Sequence, residues 1–523
     1  MRILRGGGRG IVAGTAVAAL LVPTTAVAQT ADTPAPAPVA ETASDAAGAW
    51  LAGQLVEGER IETTFDGSSY VDHGLTADTV YALAGAGVAG ADITAATDWL
   101  ATQVVQYAGD GEEEAYAGAT AKLILVAETA GRDATDFGGV NLVERLQDRQ
   151  DVLGRYRDVS PWGDYSNVLT QSLALIALER ATDEGPSDAA VELLVDTACE
   201  NGGYPSSFPT DTCTSDVDAT GFAVQALLAV GADDAADAAV DWLLDEQADD
   251  GSFGGPEAAA NSNSTGLAAV ALVAAGELEA FEAAAEWLAT VQYACFEADA
   301  GAIPFTFDEA GDLTRATAQA LPGLSGVPLT ETTIDSAVAG APNPSCLRFP
   351  DVVPGSAHAQ SIAVLDAAGI IAGRTDGTFA PRAGVTRGQL ASFLGRASGI
   401  TPASGPTRFT DVPANATHAG YIEALAEEGI VFGYSDDTFR PGQLVRRDQS
   451  AALIARWLDL DPVDTDRFTD IAGIQHRQQI NALRDAEVAF GTGDGTTFTP
   501  GATMRRDQVA SLLWRALQVA DAS

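Results

Sequence analysis

Two alternating series of apolar segments run through residues 45–340, and both have the length and spacing of helices. The first series is centred on large apolar residues 45 to 49 positions apart: Trp50, Trp99, Leu146, Leu194, Trp242 and Trp287. The second consists of Ala- and Leu-rich segments that open on a threonine: Thr79, Thr120, Thr170, Thr220, Thr265 and Thr317. Apolar residues at helical spacing predict helices. The pattern therefore predicts six helix pairs, with the small-residue threonine helices as an inner ring and the tryptophan helices outside it.

A period of about 60 residues governs the last third of the chain. Each copy opens with the pattern Phe-x-Asp and continues with a histidine and a helical segment, a glycine turn and a second helical segment. The openings are Phe349 to Asp351, Phe409 to Asp411 and Phe468 to Asp470, and the histidines are His358, His418 and His476. A fixed period of this length indicates copies of one supersecondary unit. We predict helix, loop, short strand and helix in residues 347–400, 407–460 and 466–519.

The repeated residues of this region resemble the S-layer homology family, with its F-x-D-V opening, G-Y-x-D-G-T-F turn and T-R-A-E helix start. The family's acidic position is glutamine here, and copy three has one extra residue in its turn. The resemblance implies a pseudo-trimeric trefoil that binds an acidic cell-wall polysaccharide. It also implies the binding residues, which are Arg387, Arg447, Arg506, Gln389, Gln449, Gln508, Asp376, Gly377, Asp436 and Asp494.

The three arginines fit a ligand role on physical grounds as well. Arg387, Arg447 and Arg506 stand at equivalent helix starts, where free backbone N–H groups favour anions. A guanidinium offers a planar fork to a carboxylate or phosphate. The alternative for each arginine is a salt bridge to a neighbouring acid. For the histidines, capping a helix or packing between units is the stronger interpretation.

Residues 45–340 resemble the α/α-toroid superfamily of prenyltransferase and squalene–hopene-cyclase repeats. The best match is W-L-x-x-x-Q-x-x-D-G-S-F-G from Trp242 to Gly254. The predicted fold class is therefore mainly α, with an (α/α)6 toroid followed by the trefoil. The toroid hosts unrelated activities, so the fold does not choose a function.

One partial motif raises the question of catalysis. Asp216 to Thr220 matches the cyclase motif D-x-D-D-T except at Ala219, which places Asp218 at the proton donor's position. Repeat five has Asn261 to Thr265 in the same register, and an Asx residue that recurs before a helix is well explained as an N-cap. The motif is incomplete, so we favour a non-enzymatic toroid. The sequence predicts no cofactor and no metal site.

Aromatic residues in the toroid loops are candidates for a central cavity: Trp162, Tyr165, Tyr204, Phe253 and Phe307. Aromatics at the mouth of such a cavity can hold an apolar or planar ligand. The alternative is that they pack the loops against the helices.

Charge separates the two regions. The chain has a net charge of -45, and Lys122 is its single lysine. Residues 349–523 hold 15 arginines and 20 acidic residues, whereas the rest holds 13 basic and 53 acidic residues. Such acidity argues against a nucleic-acid partner, because phosphate contacts need cationic side chains.

The N-terminus and the cysteines indicate export. Residues 1–28 have a basic start, a short apolar core and a small-x-small site, which predicts a secretory signal peptide rather than an uncleaved anchor, and no membrane span after its removal. Residues 29–44 read as a Pro/Ala-rich spacer. Four cysteines in an exported chain predict two disulfides. We favour Cys199–Cys213 and Cys295–Cys346, although three pairings are open.

Three functions are compatible with these features of the sequence. The first is a secreted, wall-anchored protein whose toroid binds a small molecule, glycan or protein. The second is an exported cyclase-like enzyme that uses Asp218 as its acid. The third is a structural component of the cell envelope. The incomplete acid motif favours the first and the third.

Overall fold

The structure, a computed structural model, describes residues 40–208, 212–254 and 259–521. The predicted signal peptide and most of the predicted spacer lie outside the described residues. The first helix begins at Ala43, within the range expected to be spacer, because Thr42 and Asp45 form a reciprocal capping box at its start.

The described part of the chain is built from helices and one β-hairpin. The toroid region contains α1 (Ala43–Ala52), β1 (Glu62–Phe65), β2 (Ser68–Val71), α2 (His73–Ala86), α3 (Gly90–Thr102), α4 (Val104–Ala108), α5 (Ala117–Thr129), α6 (Leu142–Gln147), α7 (Val168–Ala181), α8 (Asp188–Asp196), α9 (Val217–Ala229), α10 (Asp233–Glu246), α11 (Ser262–Ala275), α12 (Leu278–Val291) and α13 (Leu313–Ser325). The C-terminal region contains α14 (Ala359–Ala367), α15 (Arg387–Ala397), α16 (Ala419–Glu427), α17 (Arg447–Trp457), α18 (Arg477–Asp485) and α19 (Arg506–Asp521). Strands β1 and β2 pair antiparallel, with Glu62 opposite Val71.

Six helices form a closed inner ring. In order around the ring they are α2, α5, α7, α9, α11 and α13, and α13 packs back on α2. Helices α1, α3, α6, α8, α10 and α12 pack outside them. Glycine lets the inner helices approach closely, since a Cβ on Gly221 would lie 2.9 Å from the carbonyl oxygen of Leu267. These contacts give the predicted arrangement of six helix pairs.

The threonine series has a structural explanation. The hydroxyl of Thr220 accepts a hydrogen bond from the backbone N–H of Tyr204 (2.8 Å), and Thr265 does the same for Phe253 (2.9 Å). The threonines of α9, α11 and α13 thus fix the loops that precede their helices, and in α7 the side-chain oxygen of Gln171 accepts the corresponding bond from the N–H of Tyr156 (3.1 Å). In α2 this residue is Thr76, which binds the N–H of Ile61, and not the predicted Thr79.

Two disulfides and a glutamine fasten the ring. Cys199–Cys213 closes a loop before α9, and Cys295–Cys346 joins the loop after α12 to the chain that leaves the ring, which confirms the favoured pairing. The side chain of Gln292 donates to the carbonyl of Ala43 (2.9 Å) and so ties the last loop to the first helix.

The C-terminal units form a trefoil closed by backbone hydrogen bonds. The N–H of Val385 donates to Met504, that of Met504 to Val445, and that of Val445 to Val385, over 2.9–3.0 Å. The expected short strand of each unit does not form in the described residues. In its place, isolated bridges such as Thr386 with Leu444 join neighbouring units. These segments pair for one residue only, because each turns at once into a helix.

The trefoil has its own hydrophobic core, separate from that of the ring. In each unit the phenylalanine of the opening packs on the phenylalanine of the glycine turn, at ring-centroid distances of 5.3–5.4 Å. The pairs are Phe349–Phe379, Phe409–Phe439 and Phe468–Phe498. The first helix of each unit packs on the second helix of the preceding unit. The repeat is therefore one packing unit used three times.

Candidate functional site

The three predicted arginines lie between units of the trefoil. Arg387 reaches from unit one to unit two, where its Nε donates to the carbonyl of Phe439 (2.9 Å). Arg506 of unit three donates to the carbonyls of Phe379 (2.7 Å) and Ala372 (2.6 Å) of unit one. Arg447 reaches from unit two to the carbonyl of Phe490 in unit three (2.7 Å). The arginines thus bind backbone carbonyls rather than neighbouring carboxylates.

Each guanidinium also lies over an aromatic ring of the unit it reaches. Arg387 lies 4.5 Å from the ring centre of Phe439, and Arg447 lies 4.6 Å from that of Phe498. Burial lowers the pKa of all three guanidinium groups. Arg447 differs from the other two, since its Nε is buried without a hydrogen-bond partner.

The predicted glutamines occupy the third position of their helices. The side-chain oxygens of Gln389, Gln449 and Gln508 accept hydrogen bonds from the backbone N–H three residues earlier, at 3.0, 3.1 and 3.2 Å. Each glutamine therefore makes the N3 half of a capping box, the same task that an acidic residue performs at this position. The reciprocal bond is made in unit one, where the hydroxyl of Thr386 accepts from the N–H of Gln389 (3.2 Å). The side-chain amide nitrogen is left for other contacts.

The acidic residues of the glycine turns stabilise those turns. Asp376, Asp436 and Asp494 each accept hydrogen bonds from the backbone N–H and the hydroxyl of the threonine two residues later. These contacts lower the pKa of the three carboxyls, that of Asp436 to about 2. Gly377 has a φ of +81°, which an L side chain rarely adopts.

A second set of acidic residues has a role that the sequence analysis missed. Asp351 accepts hydrogen bonds from the N–H groups of Phe379 and Ala380, at 2.8 and 2.7 Å. Asp411 and Asp470 make the same pair of bonds in the other units. Ala380 has a φ of +55°, so the carboxylate holds a strained turn in place. The signal was available, because the Phe-x-Asp opening recurs in all three copies.

Two of the histidines contact a neighbouring unit, which is one of the two predicted alternatives, and none of the three histidine side chains makes a capping hydrogen bond. Nδ1 of His358 lies 2.7 Å from the hydroxyl of Ser511, and Nδ1 of His418 lies 2.8 Å from that of Ser392. Each of the three stands at the N-cap of its helix. Burial lowers their pKa. Among the described residues, no group of three or more His, Cys, Asp and Glu side chains is arranged to hold a metal ion.

A groove between units two and three brings two arginines together. It encloses ≈ 230 Å³, and its polar wall consists of Arg447, Arg515, Thr492, Gln508, Ser511 and His358. Among the described residues that line it, none carries a carboxylate. A second groove, between units three and one, includes Asp351 and Asp507 beside its arginines. The groove between units two and three is therefore the more cationic of the two.

The ring encloses a cavity, and each of the six inner helices contributes at least one residue to its wall. The sixth residues of the six helices all line it, and we call them the sixth-residue layer: Asp78, Lys122, Leu173, Phe222, Leu267 and Ala318. Four of the six are apolar. The cavity volume is ≈ 150 Å³.

The layer contains a single ion pair. Nζ of Lys122 lies 2.5 Å from Oδ1 of Asp78, and both side chains are about four-fifths buried. Burial disfavours the charged ammonium, but the attraction of Asp78 outweighs it, so the pKa of Lys122 is raised. The hydroxyl of Tyr81 donates a hydrogen bond to the backbone carbonyl of Lys122 and so links α2 to α5 beside the ion pair.

A segment after α13 closes one end of the cavity. Val327, Leu329 and Thr332 line the cavity at the C-terminal ends of the inner helices. The side chain of Arg180 donates to the carbonyls of Leu329 and Thr332, and Gln225 accepts from the N–H of Leu329 (3.1 Å). The cavity is therefore closed at this end, and we call the segment that contains Val327, Leu329 and Thr332 its floor.

The predicted cavity aromatics lie elsewhere. Tyr204 and Phe253 are fully buried in the loops that the threonines fix, and Trp162, Tyr165 and Phe307 are exposed on loops before inner helices. None of the five is among the described residues that line the cavity, so the prediction differs from the structure. The aromatic side chains of the wall are Tyr81 and Phe222.

Asp218 is the second residue of α9, one turn above Phe222. The N-cap of α9 is Asp216, whose carboxylate accepts from the N–H of Ala219 (2.9 Å), and the N-cap of α11 is Asn261. Asp216, the first residue of the partial cyclase motif, is thus an N-cap, as the alternative interpretation predicted. Oδ1 of Asp218 is buried without a partner, and burial raises the pKa of its carboxyl.

Comparison with known proteins identifies the C-terminal region. The model of the S-layer homology domain matches residues 348–391 and 408–451. The chain is 31% identical over 134 residues to the cellulosome-anchoring protein of Acetivibrio thermocellus, and 37% identical over 120 residues to the S-layer protein sap of Bacillus anthracis. These matches cover 24% and 22% of the chain, and 30% and 14% of the relatives.

Units one and two of the trefoil are thus S-layer homology domains, and the third unit repeats their contacts. The chain is an S-layer homology domain protein of the cell surface. It spans less than a third of these relatives. No helix in the described ranges is both long and apolar enough to cross a membrane.

The ring is similar to several solved structures at low identity. A variant of the type II terpene cyclase MstE from Scytonema matches with a TM-score of 0.43 and 16% identity, over 54% of this chain and 96% of that chain. The unsaturated glucuronyl hydrolase of Bacillus sp. GL1 matches with a TM-score of 0.40 and 10% identity, over 54% and 94%. Such likeness carries no argument about function. The ring architecture rests on its helix contacts.

Proposed function

We propose that this protein is held non-covalently on the cell wall by its trefoil and displays the ring as a ligand-binding domain. The partner of the trefoil is an anionic secondary cell-wall polysaccharide. The observation that carries the proposal is the groove between units two and three, which has two arginines and, among its described lining residues, no carboxylate. In a chain with 73 acidic residues, such a groove is a place where an anionic sugar meets little repulsion.

Within this groove Arg447 is the residue best able to bind an anion. Its Nη2 already donates to Phe490, but its buried Nε has no partner. Arg447 therefore uses one of its donors inside the trefoil and keeps more of its guanidinium for a ligand than Arg387 and Arg506 do. Arg387 and Arg506 use both Nε and Nη2 inside the trefoil, so their main role is to join units.

Sedimentation of the full chain with purified cell walls tests the anchor. The wild type should sediment with intact walls and stay in solution with walls stripped of their secondary polymer. Arg447→Gln should weaken sedimentation about tenfold or more, because a hydrogen bond to a charged group contributes roughly 1.5–3 kcal/mol. The control is Arg408→Gln, which removes an arginine that pairs with Glu423 outside the groove.

Two results contradict the anchor. One is that stripped walls bind the protein as well as intact walls do. The other is that Arg447→Gln and Arg408→Gln bind equally well while both keep the thermal unfolding curve of the wild type.

For the ring we propose binding rather than catalysis. Asp218 has one property of a catalytic acid, which is a pKa raised by burial. However, its motif lacks the following acid, and the cavity below it holds ≈ 150 Å³. That volume is below the roughly 300 Å³ at which pockets for drug-sized ligands begin, so it has no room for the long chain of a cyclase substrate.

A further inference from the structure

We propose that the sixth-residue layer binds a small uncharged molecule, about the size of one six-membered ring, which presents a hydroxyl or carbonyl group to the Lys122–Asp78 pair. The inference deepens the ligand-binding role proposed for the ring and rests on it. The first step is the register of the helices. Six residues at the same position of six inner helices surround one space, so they form one site rather than six separate packing positions.

The size of the ligand follows from the volume. An apolar cavity of about 150 Å³ in another protein holds one benzene-sized molecule. The volume here is ≈ 150 Å³, and the floor at Leu329 and Thr332 is fastened by Arg180. A larger ligand, such as a corrinoid, would have to displace this floor. The site therefore selects a molecule of few heavy atoms.

The charge of the ligand follows from the ion pair. Lys122 and Asp78 neutralise each other inside a layer whose other four members are apolar, and the described residues of the remaining wall add polar groups but no further charge. An ionised ligand would add a third, unpaired charge to a buried site, which is unfavourable whatever its sign. The strongly acidic chain adds to the penalty for an anion. An uncharged ligand avoids both costs.

The polar group of the ligand follows from the donors and acceptors that remain. The ammonium of Lys122 has three donors, and its hydrogen bond to Oδ1 of Asp78 uses one of them. Lys122 can thus donate to a carbonyl or hydroxyl oxygen, and Asp78 can accept from a hydroxyl. The apolar part of the ligand then contacts Phe222, Leu267 and Leu173 across the layer.

Three probes of equal size and different charge test the proposal: benzyl alcohol, benzoate and benzylammonium. Each is titrated calorimetrically into the full-length protein at pH 7. Benzyl alcohol should bind saturably, and the two ions should bind about tenfold or more weakly, because each brings an unpaired charge. Leu267→Trp, which fills the cavity, should abolish binding. Leu278→Trp, the same change at an exposed site on α12, should leave it intact.

A second variant isolates the polar contact. Lys122→Met combined with Asp78→Leu replaces the ion pair with apolar residues of similar volume, a change that proteins commonly tolerate. This protein should bind toluene at least as well as the wild type does and lose its preference for benzyl alcohol over toluene.

The proposal is overturned if benzoate or benzylammonium binds as tightly as benzyl alcohol, if binding survives Leu267→Trp, or if no probe binds saturably. In the last case, native mass spectrometry of the secreted protein separates the two failures. A co-purified larger molecule would retain the ligand-binding ring and reject the size proposed here, whereas a bare mass would reject both. Neither result affects the wall anchor.

Discussion

The ring and the trefoil both close on themselves, but they use different chemistry to do so. In the ring, inner helices meet backbone to backbone at glycines such as Gly221 and Gly266. In the trefoil, each unit holds the next through a guanidinium that donates to backbone carbonyls. Three of the fifteen arginines in residues 349–523 therefore have a structural role, which exists before any ligand is considered.

This difference also contributes to the distribution of charge. A contact between small residues requires no charge, so the ring surface is free to be strongly acidic. A contact through arginine requires one cation per interface, and these three cations are part of the reason that 15 arginines stand against 20 acidic residues in the trefoil. The comparison predicts that loss of an interface arginine destabilises the trefoil and that a methyl group added at an interhelical glycine destabilises the ring.

The largest effect is expected from Arg506→Gln, which removes the bonds from unit three to Phe379 and Ala372 of unit one. A buried carbonyl at Phe379 and a part-buried one at Ala372 lose their partners, so the trefoil should lose about 2–3 kcal/mol of stability. Hydrogen exchange of trefoil peptides and urea unfolding measure this loss. Arg408→Gln, at an ion pair that is 47% exposed on the arginine side, should cost less than about 1 kcal/mol. Equal losses for the two variants would refute arginine-based closure.

An intermediate effect is expected from Gly266→Ala in the ring. The added Cβ would lie 2.6 Å from Cα of Ala320 and from the carbonyl oxygen of Gln319, so two inner helices must separate. We expect a loss of about 1–3 kcal/mol, confined to ring peptides in hydrogen exchange. A Cβ on Gly340 would meet no atom within 4 Å, so Gly340→Ala is the matched control. If both variants unfold alike, glycine contacts do not close the ring.

The smallest effect is expected from Asp218→Asn, and its sign depends on pH. Burial raises the pKa of the folded carboxyl, so the folded state binds its proton more tightly than the unfolded state does. Ionisation therefore costs stability above the ordinary carboxyl pKa of about 3.9, although the helix N-terminus favours the anion. Asparagine should stabilise the protein at pH 7 by roughly 1 kcal/mol.

This gain should vanish as the pH falls below about 3.9, where both side chains are neutral. Thermal unfolding curves of the two proteins across this range provide the measurement. A gain that is the same at every pH would show that Asp218 does not titrate abnormally.

Helix periodicity was enough to predict the ring, because the tryptophan series marks the outer helices and the threonine series marks the inner helices. Thr220 and Thr265 recur for a definite reason, since each fixes a loop through a backbone N–H. The aromatic residues Tyr204 and Phe253 misled the cavity prediction for the same reason. Their backbone N–H groups bind those threonines, and their side chains are buried in the loops rather than in the wall of the cavity.

The sixth-residue layer could not be found from periodicity. Its members are of five different residue types, so no repeat in the sequence connects them. The available signal was Lys122, a single lysine within an apolar inner helix. In the trefoil, conversely, the repeat revealed the arginines that join units but not the carbonyls they bind, because a sequence does not state which unit an arginine reaches.

The bond between Arg506 and Phe379 joins residues 127 positions apart, and this distance has a consequence for biosynthesis. Translation proceeds from the N-terminus, so the edge of unit one remains unpaired until α19 is made. A polypeptide interrupted before Arg506 would carry a complete ring and an open trefoil. Closure of the trefoil thereby depends on translation through α19.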